Sequence, residues 1–178
     1  MSLWPSMNAA EYLLISRLFA YPDTPPAPED LSRLSETCGE EGGSRDLSAL
    51  QAEYVRLFIN ALPEVPCPPY GSFYLEGTLM GESTVRLQKL YASYGWHTEE
   101  LSDHFAVELE FLGLMAAMGA EGPVLEDFLQ VWEHLNRWAP QFLARVAEHD
   151  RSGFYRQAAR YAQKVLGFQT TGGFSVPS

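Results

Sequence analysis

The segment LSDHFAVELEF, Leu101 to Phe111, sets Asp103, His104, Glu108 and Glu110 inside a strongly apolar stretch. A histidine and a glutamate four residues apart lie one helical turn apart on one face, a spacing that suits two metal ligands or a proton-transferring pair. Neither chemistry is completed elsewhere in the sequence. No second H-x-x-H or E-x-x-H supplies further ligands, and no nucleophile or glycine-rich phosphate loop accompanies the pair. No metal, cofactor or catalytic residue is therefore assigned, and an enzyme or metal protein using His104 and Glu108 stands as the alternative. Two other chemistries fit the same residues. One is a buried helix start, capped by Ser102 or Asp103, in which His104 donates to Glu108. The other is a groove where Asp103, His104 and Glu108 face the basic group of a bound peptide as counter-charge. Periodicity does not separate these two.

The elements that must hold such a group are helices. Apolar residues recur at three- and four-residue intervals almost throughout, and no alternating β-branched run appears, so the fold class is all-α, a single-domain bundle of about eight to ten helices. Asn8 caps a first helix through Ala20; a second covers Glu29 to Cys38; a third runs from Asp46 to Phe58. The stretch LPEVPCPPY, with four prolines, forbids helix and predicts a stiff extended connection. Helices are expected over Gly71 to Met80, Glu82 to Tyr94 and Asp103 to Met118, then Val124 to Trp138, a short one opened by Pro140, and Gly153 to Phe168. The domain is read as 1–168, with 169–178 as a tail lacking periodicity and expected to be mobile. On the 103–118 helix, His104 and Glu108 point toward protein and Glu110 toward the polar face. Glu53 reads as a surface acid beside a core face made by Tyr54, Leu57 and Phe58, and Trp132, Trp138, Phe142 and Tyr155 as packing.

The chain has 178 residues, 46% of them hydrophobic and 20% charged, a globular composition. Its formal charge of −11 and pI near 4.7 repel nucleic acid and anionic lipid, while a basic peptide would be attracted. Cys38 and Cys67 show no zinc or disulfide spacing, the N-terminus lacks a basic leading region, and no apolar run reaches the length of a membrane span. These features read as a cytoplasmic protein without membrane insertion.

Five stretches together resemble one known family. DHFAVELEF (Asp103 to Phe111), EYVRLF (Glu53 to Phe58) and CPPYGSFY (Cys67 to Tyr74) are similar, in order and spacing, to motifs of the TorD/DmsD/NarJ chaperones for molybdenum-containing oxidoreductases. LNRWAPQFLARV and GFYRQAARYAQKVL resemble the family's downstream segments. Gly71 departs from the pattern, standing where many members carry an acidic or larger residue, and Ser102 stands where a proline is frequent. The resemblance implies a chaperone that binds the twin-arginine leader, the apo catalytic subunit, or both, assists cofactor insertion and holds back export. Its nitrate-reductase branch would instead serve a client that stays on the cytoplasmic side. Under this reading Asp103, His104 and Glu108, with Tyr70, Ser72 and Tyr74 after the proline loop, are the peptide-binding residues. Some relatives bind guanine nucleotides, but the chain has no G-x-x-x-x-G-K-[ST] loop to support that partner. The proline loop and the Glu41 to Ser44 break could serve as hinges for a homodimer formed by helix exchange.

Overall fold

The structure, a computed structural model, describes residues 8–39 and 43–167. The 169–178 tail, Phe168 and Glu41 lie outside the described residues. Among these residues there are eight α-helices and one π-helical turn: α1 (Ala9–Leu18), α2 (Pro28–Cys38), α3 (Leu47–Tyr54), the π turn (Val55–Ile59), α4 (Gly71–Glu76), α5 (Glu82–Ser93), α6 (Phe105–Ala117), α7 (Pro123–His149) and α8 (Phe154–Leu166). The all-α bundle expected from periodicity is what forms. None of the described helices is long and apolar enough to cross a membrane.

The first cap is as the sequence predicts, with Asn8 Oδ1 accepting from the Ala10 amide. The central element is α6, whose residues from Phe105 to Leu109 are all buried, as befits a helix apolar nearly all round. It packs against α1, where the buried Ser16 hydroxyl donates to the Ala106 carbonyl at 2.7 Å. Around its N-terminal end, Phe19, Phe105, Trp138 and Phe142 form an aromatic cluster, with Phe19 to Phe105 and Phe105 to Phe142 both at 4.9 Å between ring centres. Trp138, Phe142 and Tyr155 are fully buried, the packing role read from the sequence.

Three elements and one side chain differ from expectation for identifiable reasons. The 46–58 helix changes to π geometry at Val55, where the Asn60 amide donates to the Val55 carbonyl. The Leu57 carbonyl accepts instead from the Cys67 amide at 2.9 Å, so the π turn docks the proline loop. The 71–80 helix stops at Glu76, because Gly77 takes a left-handed conformation (φ 70°) that ends it. Pro140 does not open a new helix: α7 runs unbroken for 27 residues with Pro140 inside. The lost backbone bond, about 3 kcal/mol for an interior proline, is offset by buried Trp138, Ala139, Phe142 and Leu143 on either side of it. Finally, Glu53 is no surface acid. It is buried, it accepts from Arg56 Nε and Nη2 at 2.8 and 2.7 Å, and it receives the Arg151 amide at 2.7 Å. Burial alone would raise this carboxyl, but these hydrogen bonds hold it below the ordinary range. The pair locks α3 to the turn between α7 and α8.

Candidate functional site

The proline loop and the start of α6 are stitched together through backbone. The Phe105 amide donates to the Pro69 carbonyl and the Gly71 amide to the Asp103 carbonyl, both at 2.9 Å, forming a short antiparallel bridge between Tyr70 and His104. A rigid loop rich in proline makes a cheap partner for this bridge, since little backbone entropy is left to lose.

This stitching brings every sequence-predicted site residue into one neighbourhood, with roles unlike those expected. Asp103 does not cap α6. It is fully buried, and its Oδ2 accepts the Ser72 amide at 2.7 Å, capping α4 from across the loop. The cap of α6 is His104, whose extended backbone (φ −68°, ψ 137°) precedes the helix and whose Nδ1 accepts from the Ala106 amide. Because His104 stands outside the helix, its ring is not on the Glu108 stripe. The expected His104 to Glu108 hydrogen bond is absent, and with it the paired geometry that a metal or proton-transfer site would need. Burial pushes the His104 pKa down to about 4, against the pull of Glu100 and Asp103, so the ring is neutral at physiological pH.

Glu108 finds its partners on α7. Its Oε2 lies 2.9 Å from His134 Nδ1 and its Oε1 accepts from Trp138 Nε1 at 3.1 Å. The carboxyl is fully buried, and burial raises its pKa to about 7 despite both partners. His134 and Trp138 are the residues the sequence reading left out of the site. Their signal was present: Val131, His134, Leu135, Trp138 and Phe142 share one helical face, and a histidine in an otherwise apolar stripe needs a polar partner.

Tyr74 stacks on Trp138 at 5.5 Å, and Ser72 is fully buried. Tyr70 is half-buried; it meets the His104 ring edge-on at 5.3 Å and its hydroxyl donates to Glu100 Oε1 at 3.2 Å. Asp103, His104, Glu108 and Ser72 thus stand behind the surface and Tyr70 on it. Gly71 lies between the layers: a Cβ there would come within 2.7 Å of His134 Cε1 and 2.8 Å of Trp138 Nε1. The missing side chain, a departure from the family pattern, is what lets α4 pack on α7. Gly71→Ala is expected to destabilise by about 1–3 kcal/mol through overpacking, read as a lower urea midpoint with unchanged m-value.

In front of this layer runs an open groove of about 580 Å³, lined by Phe58, Ile59, Val65, Tyr70, Phe73 and Leu79, with Glu64 and Arg145 beside them. Ile59 and Leu79 are 56% and 51% exposed, so large apolar side chains here face water rather than core.

Comparisons with known proteins place the chain among relatives. The nitrate reductase delta subunit family model matches residues 22–144. A TorD chaperone protein of Vibrio parahaemolyticus is 30% identical over 125 residues, covering 62% of this chain and 58% of the relative. A protein assigned as the Tat proofreading chaperone DmsD in Haemophilus influenzae is 33% identical over 122 residues, covering 64% of this chain and 57% of its own. The chain therefore matches less than two thirds of the length of these curated relatives. A crystal structure from Archaeoglobus fulgidus, assigned as a redox enzyme maturation protein, superposes with a TM-score of 0.59 at 28% identity, covering 94% of this chain and 97% of the other. The matched family region contains the proline loop, the Asp103 to Phe111 segment and the His134 and Trp138 pair that hold the site together, and the chain belongs to the nitrate reductase delta subunit family, the TorD/DmsD/NarJ group.

Proposed function

We propose that this protein is a cytoplasmic chaperone for a molybdenum-containing oxidoreductase and that it binds the leader of the apo catalytic subunit, assisting cofactor insertion and delaying export. The observation that carries this reading is the apolar groove beside the proline loop, open to solvent on a chain with formal charge −11. An apolar segment with a basic start complements both features: the groove supplies contact area and the acidic field speeds encounter. Ile59, Tyr70, Phe73 and Leu79 would touch the peptide. Asp103, His104, Glu108, Ser72 and Tyr74 act from behind, holding the wall that carries Tyr70 and Phe73. The names of the TorD and DmsD relatives support a chaperone of this kind.

The test is calorimetric titration of the full chain with a leader peptide carrying two arginines, beside the same peptide with two lysines. Arginine-dependent binding in the micromolar range is expected, because the planar guanidinium fork is not reproduced by an ammonium. The description of the matched family model favours a second reading, a NarJ-like assembly chaperone for a nitrate reductase subunit. Equal binding of the two peptides, or binding of neither together with capture of an apo nitrate reductase subunit, selects that branch.

A further inference from the structure

A second, smaller cavity of about 220 Å³ opens between α5 and the 96–102 segment. We infer that it receives the side chain of one arginine of the bound leader, forming a guanidinium subsite next to the apolar groove. This inference rests on the leader-binding reading above.

The cavity has the size of one long side chain rather than of a helix. Its walls include Tyr91 and Trp96, whose ring centres are 5.0 Å apart. Such walls suit the methylene stem and the flat face of an arginine. At its mouth stand Glu99 and Glu100, both exposed. Glu100 Oε1 is engaged by the Tyr70 hydroxyl and the Leu101 amide, which fixes the side chain and leaves Oε2 without a hydrogen bond among the described residues. Thr84 also lines the cavity. It is only 5% exposed, and its Oγ1 has no hydrogen-bond partner among the described residues. A buried hydroxyl without a partner is uncommon in folded proteins, and a guanidinium carries five donors that can satisfy it and a carboxylate together. No lysine or arginine lines the cavity. Its charge complementarity is therefore with a cation.

The cavity and the groove are joined through neighbouring residues. Leu79 lines the groove and Met80, the next residue, lines the cavity, so the two openings flank one loop. Met80 holds a left-handed backbone (φ 59°), which is uncommon outside glycine. Tyr70 lines the groove and bonds to Glu100 at the cavity mouth. A peptide with its apolar residues in the groove can thus set a nearby arginine in the cavity.

The experiment is calorimetric titration of the full chain with two synthetic peptides that share one apolar segment, one starting Arg-Arg and the other Ala-Ala. Wild-type protein is compared with the double variant Thr84→Val, Glu99→Gln, whose melting temperature is checked first; Thr84 Oγ1 has no hydrogen-bond partner among the described residues and Glu99 is exposed. The double variant is expected to bind the Arg-Arg peptide about tenfold or more weakly, as loss of a charge-assisted contact predicts, and the Ala-Ala peptide as the wild type does. If the double variant keeps full affinity for the Arg-Arg peptide, the subsite is wrong while leader binding in the groove stands. Equal weakening of both peptides at unchanged melting temperature also overturns it, since the residues would then only shape the groove. Failure of wild-type protein to bind either peptide overturns the leader reading itself, and the subsite with it.

Discussion

Glu108→Ala is expected to lower unfolding stability by about 3 kcal/mol or more, among the largest effects of any single substitution here. Truncation leaves two buried nitrogens without their partner, the Trp138 Nε1 donor and His134 Nδ1, and opens a void beside the fully buried Trp138. Glu108→Gln should be far milder, because the amide keeps the volume and the oxygen that accepts from Trp138. The two variants also differ in pH response. Burial raises the Glu108 carboxyl from 4.5 to about 7, so the folded state binds this proton more tightly than the unfolded state does. Stability from this group is then fully present below its unfolded value and is lost as pH climbs through about 7. Urea unfolding at about pH 5 and about pH 8 should show the wild type losing stability over that interval relative to Glu108→Gln. A wild type that gains stability relative to Glu108→Gln would mean that Glu108 is ionised and stabilised by His134.

The largest effect on binding is expected at the groove. Leu79→Asp combined with Ile59→Asp should weaken a leader peptide by about a hundredfold, since both replace exposed apolar contact area with a charge that must be desolvated on binding. The melting temperature should move little, because both side chains are more than half exposed in the free protein. Titration beside thermal unfolding separates the outcomes. Unchanged affinity with an intact fold would remove the groove from the site and leave the apolar patch without a peptide role.

The fold was largely legible because each helix announces itself by local chemistry. Asn8 is a good cap, the 62–70 prolines exclude helix, and the apolar density of 105–115 allows only a buried position. Pro140 misled because propensity is local, whereas the packing of Trp138 and Phe142 that overrides it is tertiary. The site was half legible. The resemblance drew attention to the 70–74 and 103–108 segments, but that they pair through backbone, and which side chains meet, could not be read. Helical periodicity assumes that His104 is inside the helix, and one residue of difference in the cap turns its ring from Glu108 to the Ala106 amide. The partner that Glu108 does use lies 26 residues away, on an element whose register against α6 is set by packing. The groove was hidden for the same reason: Ile59, Tyr70 and Leu79 become neighbours only through the π turn and the loop that docks on it.

That docking has a kinetic consequence. The proline loop is fixed at successive points by the Leu57, Pro66, Pro69 and Asp103 carbonyls, the second of them bound by Arg145 Nε at 2.8 Å. A wall held this way has no slow closing step to wait for. On the proposed chaperone reading, capture of a client is then set by diffusional encounter in the protein's acidic field and should accelerate at low ionic strength. On that reading competing clients would be sorted by how long each stays, through residence time rather than through the rate of capture.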